Sequence, residues 1–224
     1  MASDVDISNL ALGHLGDKAT VASLDPPEGS IQAEHCARFY PIARDGLLEM
    51  HAWGFATRRV ALAQLTAVSD AWDYCYAVPS GMLNALAVLP ADATDDYSQQ
   101  YGTTWAGVPL VDGSQAKNAY VPRPFVIETL DNGTEVILTD EENAVLRYTV
   151  IVTDTAKFSP LFVTTLSWYL ASMLAGPVIK GDVGREEAAR CLKIMQSFLD
   201  RATESDANQR RIRPVQNVGW ISGR

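Results

Sequence analysis

The chain has 224 residues, 47% hydrophobic and 20% charged, with a formal charge of −9 and a pI near 4.8. That length holds one domain with an elaboration or two small ones, and the apolar content argues against wholesale disorder. The acidic balance excludes general wrapping of nucleic acid, which needs Lys and Arg to neutralise phosphates, but it suits a negative wall past which DNA slides.

The first helix is expected over residues 6–15, after Ser3 or Asp4, and is closed by Gly16. Asp4 and Asp6 then lie at a helix N-terminus, where acids complement the dipole. Residues 24–29, LDPPEG, read as a turn-rich linker. Ser30 caps a second helix whose apolar positions Cys36, Phe39, Tyr40, Ala43, Leu47 and Met50 recur at helical spacing. Pro41 is expected to kink it, and Trp53–Phe55 to end it.

The middle of the chain reads as β-rich. Residues 71–78 alternate with aromatics until Pro79, and 85–89 form a second short strand. Strands at 125–130 and Glu135–Thr139 flank Asp131-Asn132-Gly133-Thr134, a hairpin signal because Asn-Gly tolerates positive φ at both turn positions. Residues 145–153 are a β-branched closing strand. Between these, 90–124 is a long aperiodic loop carrying Asp92, Asp95, Asp96, Tyr97, Tyr101, Trp105 and Tyr120; its aromatics favour an ordered, contacting role.

Ser159–Pro160 starts a third helix. Residues 158–179 hold no charge and could span a bilayer by length. Their Ser and Thr content, an early end at Gly176–Pro177, and large apolar residues clustered on one side (Leu161, Phe162, Leu166, Tyr169, Leu170, Met173, Leu174) read instead as a soluble core helix. After a break over 176–184, residues 185–207 form a last helix with Ala188, Leu192, Met195, Leu199 and Ala202 on one stripe. Residues 209–224, QRRIRPVQNVGWISGR, carry four arginines and no acid. Alone they bury too little surface to fold, so Arg210, Arg211, Ile212, Arg213 and Trp220 read as an arm that orders on a partner.

No phosphate-cradling loop, nucleophile elbow or two-metal acid cluster is recognisable. His14, His35 and His51 lack a ligand pattern, and Cys36, Cys75 and Cys191 are scattered in apolar segments, as buried thiols of a reducing cytoplasm are. The start, MASDVDISN, lacks the basic and apolar runs of a signal peptide. Asp95–Asp96 and Glu141–Glu142 read as solvated loop acids, and Glu186–Glu187 as first-turn acids of the last helix. The reading is non-enzymatic, with no cofactor.

One run is more particular. Residues 32–61, QAEHCARFYPIARDGLLEMHAWGFATRRVA, place Arg44–Asp45 on a helix that runs into a Trp-Gly-Phe-Ala turn and Arg58–Arg59. This resembles the tail tubular protein A family, the head-to-tail adaptors of short-tailed bacteriophages, in which an R-D-x-L-L helix enters a W-x-F-A-x-R-R turn. The likeness continues in NLALGHLG (9–16), VASLD (21–25), the 72–79 strand and FSPLFVTTLSWYLASMLAGPV (158–178). The 90–124 loop is longer than the family core, and the final arm matches no family motif.

The resemblance implies a virion protein of the phage neck, made in the host cytoplasm. It would form a homo-oligomeric ring of roughly twelve copies between the portal protein and the tail nozzle protein, with DNA passing through the lumen and no membrane involved. The expected fold is α+β. Residues 1–70 and 154–208 make one helical bundle, 71–153 an inserted, mainly antiparallel β region, and 209–224 an extended arm. Arg44, Asp45, Arg58 and Arg59 are the expected subunit contacts, competing with a plainer role as surface ion pairs. Tyr97, Tyr101 and Trp105 are assigned to the nozzle, and the arm to the portal. The competing function is a head-completion or packaging factor whose arginine arm contacts DNA directly, with Trp220 stacking.

Overall fold

The computed structural model describes residues 2–18, 20–66, 71–91 and 123–209. Among these the protein is α+β, with four α-helices and two small antiparallel sheets. The chain divides into two compact units. Met1–Ala56 and Ile151–Gln209 fall in the first, Thr57–Val150 in the second.

The first unit holds α1 (Asp4–His14), α2 (Ile31–Glu49), α3 (Pro160–Ile179) and α4 (Gly181–Ala207). Serine hydroxyls set three of the starts. Ser3 accepts from the Asp6 amide while the Asp6 carboxylate takes the Ser3 amide, a reciprocal capping box. Ser30 accepts from the Ala33 amide and Ser159 from the Phe162 amide. Helix α2 continues through Pro41, and its buried stripe is Ala33, Cys36, Tyr40, Ala43, Leu47 and Leu48. Met50, expected on that stripe, is 47% exposed because it lies just past the helix end.

Helix α3 is the centre of this unit, packing on α1, α2 and α4. By length and composition it could cross a membrane, but here no residue of 161–175 is exposed. The large-residue stripe predicted from sequence is incomplete. Leu161, Tyr169 and Met173 are half-buried, whereas Thr165 and Ser167 are buried. These two hydroxyls donate to the carbonyls of Leu161 and Thr164 in their own helix, so they need no partner outside it. Pro177 does not end the helix, since its fixed φ is helical and it forfeits only one bond near the terminus. The expected break over 176–184 contracts to one residue, Lys180, at φ 63° and ψ 165°. Helix α4 therefore starts at Gly181, which moves Glu186–Glu187 out of its first turn; the acid there is Asp182. Leu192 is 39% exposed, and the buried face runs through Gly184, Cys191, Met195, Ala202 and Asp206.

The second unit contains β1 (Thr57–Ala61), β2 (Tyr74–Ala77), β3 (Met82–Leu89), β4 (Phe125–Thr129), β5 (Glu135–Thr139) and β6 (Val145–Val150). The sheets are ordered β1-β6-β3 and β2-β5-β4, antiparallel throughout. Single bridges join them at both margins. Gln64, just after β1, pairs with Tyr76 of β2, and Val88 of β3 pairs with Arg123, just before β4. Each margin of one sheet is thus linked to a margin of the other by one bridge.

Strand β5 is central in its sheet, and its Val136, Ile137, Leu138 and Thr139 are all covered. Val136 and Leu138 pack with Cys75, Leu65, Trp72 and Leu130. The β4–β5 turn differs from the expected two-residue form. Gly133 alone has positive φ (81°), and its amide donates to the Leu130 carbonyl at 2.8 Å. Asp131 and Asn132 therefore turn with negative φ and Gly133 follows as a bulge, a three-residue loop.

Candidate functional site

The run from Arg44 to Ala61 leaves the end of α2, passes a 3-10 turn at Gly54–Ala56 and enters β1. Arg44 Nε donates to Asp45 Oδ1 at 2.8 Å, and the side chains are 13% and 35% exposed. The Arg44 guanidinium also lies 6.0 Å from the Tyr40 ring centroid. Arg44 is thus engaged within its own helix, so the plainer ion-pair reading describes what this structure holds.

Trp53 is 1% exposed, and its indole Nε1 donates to the Leu47 carbonyl at 2.9 Å, tying the turn back to α2. It meets Phe162 edge-on at 5.0 Å, and Phe55 packs on Phe158 and Phe162 at 5.7 and 5.1 Å. Both aromatics are structural plugs, each contributing about 1.5–3 kcal/mol where fully buried.

The turn has a second anchor. Asp206, near the end of α4, accepts from the Gly54 amide and lies 3.3 Å from His51 Nε2. Sequence reasoning missed Asp206. A hint was available, because an acid in the last turn of a helix opposes the dipole and needs a tertiary partner to hold it there.

Beyond Ala56 the chain enters β1, a strand not foreseen from sequence. Arg58 and Arg59 are exposed and, as neighbours on a strand, point to opposite faces. Arg58 pairs in register with Tyr148 and Arg59 with Arg147. Glu141 is not a solvated loop acid. It is 17% exposed at its side chain and accepts from Arg123 Nε at 2.7 Å, beside the bridge that joins β3 to the start of β4. Tyr76 OH donates to the Glu141 carbonyl at 2.8 Å and steadies the same corner.

A second polar cluster joins α1, α3 and α4. The His14 ring stacks on Trp168 at 3.7 Å, and its Nε2 lies 3.0 Å from Ser167 Oγ. The Ser167 proton is committed to the Thr164 carbonyl, so the histidine nitrogen is the donor. Burial, then the Arg190 charge, holds the His14 pKa below its ordinary value. Glu187 pairs with Arg190 one turn along α4, and that hydrogen bond draws its carboxyl below the usual range.

Cys36, Cys75 and Cys191 are free and buried. Burial pushes the Cys36 and Cys191 thiols up to about 11, which leaves no thiolate for nucleophilic chemistry at neutral pH. Among the described residues no group of three His, Cys, Asp or Glu is placed to hold a metal ion. The arm residues Arg210, Arg211, Ile212, Arg213 and Trp220, and the loop residues Tyr97, Tyr101 and Trp105, lie outside the described residues. Of the predicted interface set, Arg44 and Asp45 belong to the first unit and Arg58 and Arg59 to the second. No protein-family model matches the chain, and no curated protein matches it significantly.

Proposed function

We propose that this protein is a structural head-to-tail adaptor of a short-tailed phage, assembling as a ring between portal and tail nozzle through which DNA passes. The observation that supports the reading is the continuous 44–61 run. Its Arg-Asp pair lies near the end of α2, its Trp53 is buried against Phe162, and its Arg pair is exposed on β1. Those are the residues that carry the resemblance to the tail tubular protein A family.

In this reading the helices from the two ends of the chain form one bundle, and the β region is an insertion between them. Copies meet side by side, and many weak contacts around a ring sum to a firm assembly. The 209–224 arm reaches the portal and the 90–124 loop serves the nozzle. The excess of acids favours a channel that repels phosphate. The protein does no covalent chemistry and carries no cofactor.

The test is co-sedimentation of the full chain, and of a chain ending at Asn208, with a portal ring and with duplex DNA. The adaptor reading requires the full chain to join the portal and the shortened chain to fail. Salt-sensitive duplex binding by the full chain alone, without portal binding, would transfer the assignment to a packaging factor that grips DNA through the arginine arm.

A further inference from the structure

Strand β4 has an open margin. It pairs with β5 on one side only, and on the other the second sheet is reached at a single bridge, Val88–Arg123, which precedes the strand. The hairpin closes with the Leu130 amide donating to the Thr134 carbonyl. Counting back from that pair, Glu128 and Val126 bond to β5, while Phe125, Ile127 and Thr129 aim their N–H and C=O groups away from it. Among the described residues no hydrogen bond reaches those outward groups. Ile127 shares a face with the buried Ile137, yet it is 42% exposed because it stands at this margin. Such a row of backbone groups is a template for a further strand.

The hairpin is also acidic. Residues 125–139 contain Glu128, Asp131 and Glu135 and no Lys or Arg. None of these acids makes an ion pair among the described residues. The charge argues against β4 of a second copy as the occupant. An antiparallel copy centred on Ile127 would set Glu128 diagonal to its own counterpart on one face, like charge to like. A strand that fits carries bases at alternate positions with an aliphatic residue between them. Residues 210–213, Arg-Arg-Ile-Arg, have that pattern, and they open the arm of four arginines and no acid. Only Asn208 and Gln209 separate them from the end of α4 at Ala207.

We infer that residues 210–213 of this chain add to the open margin of β4 as an antiparallel strand. With Ile212 opposite Ile127, Arg211 falls opposite Glu128, and Arg210 falls opposite Thr129, toward Asp131 and Glu135. The two isoleucines then share one face and the Arg211–Glu128 pair the other. Main-chain bonds from Ile127 and Thr129 hold the segment, and the charge pair sets its register. Pro214 would fall opposite Phe125, and having no N–H to donate it ends the pairing there. The inference goes beyond the adaptor reading. It gives the start of the arm a seat and leaves residues 214–224 to reach a portal.

The test is hydrogen–deuterium exchange of the full chain, read amide by amide by NMR. In the wild type the Ile127 and Thr129 amides exchange at least about tenfold more slowly than open-edge amides. Ile212→Pro removes the N–H that bonds Ile127, and the slowing at both amides disappears. The Glu128 amide, bonded to β5, keeps its protection in that variant and shows that the hairpin is folded. Arg211→Glu weakens the slowing by about threefold or more, and adding Glu128→Arg restores it. Wild-type Ile127 and Thr129 amides that exchange as open-edge amides would overturn the inference. Protection that survives Ile212→Pro would also overturn it, and if that protection rises with protein concentration the occupant is the edge of a second copy. Either failure leaves the adaptor reading to the portal experiment.

Discussion

Asp206 and Gly54 stand 152 positions apart, yet one carboxylate receives the Gly54 amide at 3.0 and 3.2 Å. That junction fixes the end of α4 to the turn through which the chain leaves α2, with His51 on the same carboxylate. Asp206→Ala leaves a half-buried amide without its charged acceptor and costs about 1–3 kcal/mol. Asp206→Asn keeps one carbonyl acceptor and loses less. Urea midpoints of the three proteins check the order, wild type above Asn above Ala.

The His14 cluster sets a pH dependence whose sign follows from its lowered pKa. The folded protein resists protonating His14, whereas the unfolded chain takes up the proton near the ordinary value of 6.5. The stabilising term is therefore fully present above that value and is lost as pH falls through the lower folded pKa. Groups facing His14 are Arg190, with its partner Glu187, from α4 and Ser167 from α3. Between about pH 7.5 and about pH 5.5 the wild type loses stability, and His14→Gln flattens that slope. Denaturant midpoints across the range measure it.

Gly184 of α4 packs against the backbone of α3. A Cβ there would meet the Ala175 carbonyl oxygen at 2.9 Å, a backbone atom that cannot swing aside. Gly184→Ala therefore destabilises by about 1–3 kcal/mol despite alanine's higher helix propensity. Calorimetry should show a lowered Tm for the helical unit. An unchanged or raised Tm would mean the two helices are not this close.

Lys180 joins α3 to α4 at φ 63° and ψ 165°, a region that L side chains rarely occupy and that costs about 1–3 kcal/mol. Lys180→Gly removes that strain, and the flexibility it adds to the unfolded chain returns about 0.5–1 kcal/mol. A net gain on the order of 1 kcal/mol is expected, read as a higher urea midpoint.

Local signals were legible and closures were not. Ser3, Ser30 and Ser159 could be read as caps because each needs only its own next three residues. The 131–134 turn could be placed, though not its bulge, since Asn-Gly serves several turn types. Strand β1 escaped because Thr57–Ala61 is exposed on both faces and so shows no alternation. The break between α3 and α4 was drawn too wide because three glycines and a proline outweighed the apolar continuity that packing exploits. Asp206, Glu141 and the Val88–Arg123 bridge between the two sheets depend on residues far apart in sequence, which no local pattern encodes. The candidate interface was legible only as residue types. Arg44 and Asp45 pair with each other, whereas Arg58 and Arg59 are exposed on β1.

The central claim is tested most directly by native mass spectrometry of the full chain mixed with a portal ring. The account predicts a complex heavier than the portal by one large, fixed multiple of 24.4 kDa, reached in a single step without intermediate occupancies. A chain that stays at 24.4 kDa and adds nothing to the portal's mass would contradict it.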